Sequence, residues 1–205
     1  KYEAQLFIAY NRRFFSSINT LKKLTVDDGG IRNVKFDFTE WTHRIDPKVY
    51  DSLTLKHWII SNSSHVIDTV FHLIGNPVKL NCIHSLKGNI NWHPSSSIFV
   101  GSGITTNNIP FSYNSNWTSA GRWSIEVLTD KGKYVLSPME ELSFIEKGHI
   151  DSKKIILLDN DSDINFKPGV LKQVQSFVSD KSNLCTIEEQ LELLNFYYKI
   201  GNYNK

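Results

Sequence analysis

Placed on a helix, "SNSSHVIDTVFHLIG" sets His65, Asp68 and His72 along one narrow stripe, because residues three and four apart share a face. Val66, Ile67, Val70, Phe71 and Ile74 cover the remainder, so one polar line runs along an otherwise apolar helix. Three chemistries suit that line. Asp68 could be a buried carboxylate satisfied by a histidine or a backbone donor. The three side chains could ligate a metal, but no further His, Cys or carboxylate cluster sits at ligand spacing, and no metal is expected. His65 could be a general acid or base, since a helix N-terminus would depress its pKa and favour neutral imidazole near pH 7. The remaining histidines, His43, His57, His84, His93 and His149, stand singly and read as surface or satisfied core residues.

A second candidate group follows the run Leu6 to Ala9, whose continuous apolar character predicts a strand buried on both faces of a parallel sheet. Asn11, Arg12 and Arg13 come next, then Phe14, Ile18, Leu21 and Leu24 at helical spacing. A buried strand that leads through polar residues into a helix describes the carboxyl end of an α/β sheet, where ligands bind. One of the two arginines is therefore a functional candidate. No earlier strand is available in the sequence to pair with this one.

The elements that must position these groups are marked by periodicity. After a turn at "DDGG", "VKFDFTEW" alternates, with Val34, Phe36 and Phe38 on one face and Lys35, Asp37, Thr39 and Trp41 on the other. Tyr50 to Gly75 reads as two helical pieces meeting near "SNSS", where Ser and Asn can cap the second; Gly75, Asn76 and Pro77 end it. From Val78 to about Lys147 a run of strands is expected: "VKLNCIHSL", "INWH", "SIFVGSGITT", "PFSYNSNW", "RWSIEVLT" and "KYVLSP". Trp123, Ile125 and Val127 alternate with Ser124 and Glu126, and "DKGK" supplies a hairpin turn, so the block reads as an antiparallel meander. Two helices close the chain, Gly169 to Val178 and Thr186 to Tyr198, the latter opened by Thr186 with Glu189 three residues on. Strands in a block flanked by helices predict an α+β fold: an open-faced, mainly antiparallel sheet with helices packed on one face. The open face, with its Trp and polar residues, is expected to meet a partner subunit or a ligand.

Bulk properties narrow the classes. The 205 residues, 40% hydrophobic and 12% aromatic, suffice for one sizeable core. Lys and Arg number 23 against 21 Asp and Glu, and a net charge of +2 gives no reason to expect nucleic acid as a partner. Cys82 and Cys185 are far apart and form no CxxC pair, so both read as buried free thiols of a reducing compartment. With no signal peptide, lipidation motif or membrane-spanning apolar stretch, a cytoplasmic protein without membrane contact is expected, and the sequons at Asn62, Asn116 and Asn160 read as accidental.

Five segments in order, "AYNRRFFSSI", "NSSHVIDTVFHLIG", "RWSIEVLTDKGKYVLSPMEEL", "FKPGVLKQVQSFV" and "LCTIEEQLELLNFYYKI", resemble the C-terminal domain of the glucose-fructose oxidoreductase, inositol dehydrogenase and MocA (Gfo/Idh/MocA) family, closest to members of sugar-modification and polysaccharide pathways. The resemblance implies that residues 1–13 are the last strand of a Rossmann domain and its junction. Residues 14–205 would be the substrate-binding and oligomerisation domain. It implies NAD or NADP in the full-length enzyme, a sugar or nucleotide-sugar substrate, and a homo-oligomer formed through the open sheet. Neither the glycine-rich dinucleotide fingerprint nor the family's "EKP" lysine is in the sequence, and Gly101-Ser102-Gly103 lies inside a strand pattern, so this chain alone should bind dinucleotide poorly and turn over nothing. By position, His65 resembles the family's catalytic histidine and Asp68 the acid that ends its motif, while Ser61 stands where many members have an aspartate. Asn11 and Arg12 are implied near the nicotinamide or the sugar, and Trp41 as a platform for a sugar ring or as interface packing. The alternative is a freestanding self-association module that has lost catalysis.

Overall fold

A computed structural model describes residues 5–203; the outermost residues of both expected domains, 1–4 and 204–205, lie outside it. Eight strands form one open sheet: β2 Asn33–Asp37, β3 Pro77–Ser85, β4 Ile98–Thr105, β5 Pro110–Asn116, β6 Ser124–Leu128, β7 Gly132–Leu136, β8 Ser143–Glu146 and β9 Ser152–Lys154. Their order across the sheet is β3-β4-β5-β2-β6-β7-β8-β9, and every neighbouring pair is antiparallel except β2 with β5. The expected meander is thus interrupted. β2 arrives from before the block and inserts between β5 and β6, because Val34 and Phe36 complete an apolar face with Phe111, Tyr113, Ile125 and Val127.

Alternation fixes which face is covered. Val34, Phe36, Phe99, Phe111, Tyr113, Ile125, Val127 and Tyr134 point into the core, where they meet Ile18 and Leu21 of helix α1 (Ser16–Asp27). Val66, Val70 and Phe71 of α3 (Ser64–Ile74) and Leu193, Tyr197 and Ile200 of α6 (Ile187–Gly201) complete it. The opposite face carries Asn81, Ile83, Val100, Ser102, Ser112, Asn114, Lys35, Asp37, Ser124 and Glu126 around a shallow depression. This is the α+β layer the pattern predicts, with one sheet face open.

Other elements differ from the sequence reading. "INWH" forms a turn in place of a strand: buried His93 receives a hydrogen bond from the Tyr203 hydroxyl at Nε2 (2.7 Å) and donates from Nδ1 to the Ser96 carbonyl (2.8 Å). That assigns its tautomer. The run at Leu6 yields only β1 (Phe7–Ile8), which pairs antiparallel with β10 (Cys185–Thr186) and is half-buried; Leu6 is 61% exposed, so the outer side of the run is uncovered among the described residues. Strand β8 lies within the expected run of strands though outside its named segments, while β9 and the short α4 (Asp161–Asn165) had no expectation. Helix α5 (Val170–Val178) forms as expected, and the Thr186–Glu189 capping box opens α6. Both cysteines are free: Cys185 is buried and half-buried Cys82 accepts a hydrogen bond from the Tyr113 hydroxyl. Among the described residues no helix is long and apolar enough to cross a membrane.

Candidate functional site

The two helical pieces meet at "SNSS" as the sequence suggests, but the second, which carries His65, lacks the expected cap. Helix α2 (Ser52–Lys56), capped by Asp51, passes into a π-helical turn at Ile59–Ser63 that continues directly into α3. Ser63 holds helical dihedrals and makes no capping bond. Instead, the Ser63 hydroxyl (2.6 Å) and the Asn62 amide (2.9 Å) donate to one oxygen of Glu40. Because the turn supplies carbonyls to the early N–H groups of α3, no free helix end lies beside His65. Its pKa is nonetheless low, held at about 4 by burial first and then by the nearby charges of Arg12 and Lys167. The direction matches the expectation; the cause does not.

His65 sits between two aromatic rings, edge-on to Tyr10 at 5.2 Å and nearly parallel to Trp123 at 6.5 Å between centroids. Its Nδ1 is buried without a hydrogen-bond partner among the described residues, whereas Nε2, also unbonded, reaches solvent. Asp68, one turn on, does not touch it. The Asp68 carboxylate is fully buried and takes two hydrogen bonds from Arg13, 2.8 Å from Nε and 2.6 Å from Nη2. Arg13 also reaches Glu189 at 3.2 Å. Burial alone would lower the Arg13 pKa, but the Asp68 contacts outweigh it and hold the guanidinium charged. His72 lies 3.3 Å from the Lys22 amine, and burial with the charges of Arg13 and Lys22 lowers its pKa to about 3. The three-residue stripe therefore serves three separate environments. Among the described residues no group of three His, Cys, Asp or Glu is placed to hold a metal ion.

The two arginines divide in role. Arg13 is consumed in the core, whereas half-buried Arg12 lies over the face of Trp123 at 4.4 Å and has one long hydrogen bond, to Asn11 Oδ1 at 3.5 Å. Burial, the largest influence, brings the Arg12 pKa down to about 10. Arg122 covers the same Trp123 ring at 4.9 Å and also Trp41 at 4.9 Å; Arg44 approaches Trp41 at 4.6 Å. The result is a ladder of alternating guanidinium and indole groups. Beside it a cavity of about 360 Å³ is lined by Glu40, Trp41, Arg44, Tyr50, Ser61 and Arg122.

One expected site residue, Trp41, falls elsewhere than the sequence places it, and another, Asn11, stands where expected with its amide already bonded. Trp41 is not on the open sheet face: β2 ends at Asp37, and Trp41, 38% exposed, donates from its indole to the Gly121 carbonyl and lies between Arg44 and Arg122. Asn11 is buried, and its amide is spent on the Pro168 carbonyl (2.9 Å) and on Arg12. It holds the turn that presents Arg12. Sequence reasoning missed Glu40, a buried carboxylate whose pKa is raised by desolvation against the hydrogen bonds of Ser63 and Asn62 and the charge of Arg122. It read Trp123 only as part of a strand alternation with Ile125 and Val127, all three of which the structure buries on the covered face. The available signal was the pair of charge–indole dipeptides, Glu40-Trp41 and Arg122-Trp123.

No family model and no curated protein matches the sequence. Solved structures do match. UDP-N-acetylglucosamine 3-dehydrogenase from Acidithiobacillus ferrooxidans superposes with a TM-score of 0.67 at 11% identity, covering 97% of this chain and 61% of that one. An inositol dehydrogenase homologue from Azotobacter vinelandii, solved with NADH and myo-inositol, gives 0.69 at 10% identity over 97% of this chain and 62% of its own. The super-repressor mutant of Gal80p from Saccharomyces cerevisiae gives 0.68 at 14% identity, with 97% and 63% covered. The chain has the fold of Gfo/Idh/MocA-type oxidoreductases and spans about 61% of the length of the first of these structures.

Proposed function

We propose that the chain is the substrate-binding and oligomerisation part of an NAD(P)-dependent sugar or nucleotide-sugar oxidoreductase. Residues 1–13 then close a dinucleotide-binding domain, and residues 14–205 supply the sugar site and, through the open sheet face, the contact between subunits. A cytoplasmic location belongs to the same reading, which the two free thiols support. The observation that carries it is His65, a neutral imidazole with one nitrogen buried and unpaired and the other open to solvent, beside the under-bonded Arg12.

Such an imidazole accepts a proton from a substrate hydroxyl. The nicotinamide, when bound, supplies the hydride chemistry at the carbon bearing that hydroxyl. His65 and Arg12 fit a place near that reaction because their polar atoms are unspent; Asn11 fits only as the residue that positions Arg12. The sugar-linked names of two structural neighbours point the same way. In the full-length protein, His65→Ala is expected to abolish sugar-dependent reduction of NAD(P) with the circular dichroism unchanged. Undiminished turnover would overturn the assignment.

One observation favours a second reading, a non-catalytic interaction module. Ser61, four residues before His65, is exposed and spends its hydroxyl on the Thr54 and His57 carbonyls, so no carboxylate stands at that position to pass a proton on. The same fold also occurs in a repressor. On this reading His65→Ala is silent for assembly of the full-length protein.

A further inference from the structure

The ladder around Trp123 and Trp41 is rich in positive charge and poor in acceptors. Arg12, Arg44 and Arg122 lie on the two indoles, and the charge of Lys167 also acts on His65. Among the described residues the carboxylates that act on Arg12 are Glu140 and Glu40, and Arg122 pairs with Glu40. Glu40 is already shared among Ser63, Asn62 and Arg122, and its contact with Arg122 is long, at 3.4 Å. Arg44 has no acceptor within hydrogen-bonding distance among the described residues, and Arg12 has only the 3.5 Å contact to Asn11.

Arg12 is the telling member. An exposed arginine satisfies its five donors with water, but Arg12 is half-buried on an aromatic face, its charge already penalised by desolvation. Stacking on indole fixes the plane of a guanidinium and leaves its edge donors pointing outward, an arrangement that suits planar, two-point recognition of carboxylate or phosphate. The cavity beside Arg122 and Arg44 continues the same surface.

We infer that Arg12, Arg122 and Arg44 form an anion-binding subsite, and that the ligand of this chain is an acidic one, bearing either the carboxylate of an acidic sugar or the phosphates of a nucleotide sugar. This deepens the reading of the site given above and rests on it for the word sugar alone. The charge requirement stands on the arginines.

The test is calorimetric titration of the chain itself with inorganic pyrophosphate, D-glucuronate and D-glucose at low salt. At least one of the two anions is expected to bind, and D-glucose is expected to bind more weakly than that anion. Arg122→Gln and Arg12→Gln should each weaken the anion about tenfold, and added salt should weaken it further. Tighter pyrophosphate identifies the phosphate source and tighter glucuronate the carboxylate. Should Arg12→Gln fail to fold, Arg122→Gln and the exposed Arg44→Gln decide the matter. Equal binding of glucose and both anions, or anion binding untouched by the folded arginine variants, overturns the subsite. Because no dinucleotide enters the assay, this failure is separate from that of the oxidoreductase reading, which turns on His65→Ala in the full-length protein.

Discussion

The Arg13 guanidinium grips the Asp68 carboxylate through two hydrogen bonds, of 2.8 and 2.6 Å, with both groups buried. The contact ties the turn after β1, which carries Arg12, to the middle of α3, which carries His65. Asp68→Ala strips a buried arginine of its main partner, and a loss of about 3–5 kcal/mol in urea unfolding is expected. The double variant Arg13→Met with Asp68→Leu should regain much of it. An unchanged midpoint in Asp68→Ala would show that Glu189 alone suffices for Arg13.

Acid should weaken the fold well before the carboxylates titrate as a group. His65, His72 and His93 have pKa values lowered to about 4, 3 and 4, against 6.5 for an unperturbed imidazole. As pH falls from 6.5 towards 4, the unfolded chain takes up protons that the folded chain refuses, and stability declines. Asp68 and Glu40, raised chiefly by burial, bind protons earlier in the folded state and oppose the decline at its acid end. Urea midpoints at pH 7 and pH 5 measure this, and a flat profile would mean that the imidazoles charge in place.

Tyr203 links the end of the chain to the helix entrance, since its hydroxyl donates to His93 Nε2 and accepts from the Ile59 amide. Tyr203→Phe orphans both partners at once. A loss of about 2 kcal/mol or more is expected, and a midpoint equal to wild type would indicate that water takes over both bonds.

Gly169 has φ +73°, and a Cβ there would stand 2.1 Å from the Asn11 carbonyl oxygen. Gly169→Ala should therefore push on the turn that carries Arg12. The expected result is a lower melting temperature together with a changed tryptophan emission, because Arg12 lies on Trp123. Unaltered fluorescence would separate Gly169 from the site.

The open sheet face lets the proposed assembly be tested apart from folding. Ile83 and Val100, paired across β3 and β4 and 70% and 36% exposed, lie on the face proposed to meet another subunit. Ile83→Asp combined with Val100→Asp should lower the mass seen in light scattering while the fold persists. Ile125→Asp, on the covered face at 0% exposure, should abolish folding. A wild-type mass in the double variant would take self-association away from this face.

The sequence showed most of what periodicity controls. Val34, Phe36 and Phe38 announce β2, the capping box at Thr186 announces α6, and the polar stripe on α3 singles out His65. It could not show pairing between distant segments. The partnership of Arg13 with Asp68 spans 55 residues, and the insertion of β2 beside β5 depends on which apolar faces fit together, not on any local pattern. The charge–indole ladder was hidden for the same reason: Trp123 obeys the strand alternation, so its second duty, supporting Arg12, becomes visible only once the turn at Asn11 is folded against it.

The place of β2 also governs the order in which the molecule can be assembled. On a ribosome, residues 33–37 emerge long before 110–128, yet both hydrogen-bonding edges of β2 are filled by those later segments. Two bare edges are open to another chain for that interval. The loop that must close before β2 is sealed encloses α2, α3, β3 and β4, so the site's own helix is trapped inside the slowest ring closure of the sheet. Nascent chains halted before Asn116 would hold His65 on a scaffold that has no floor.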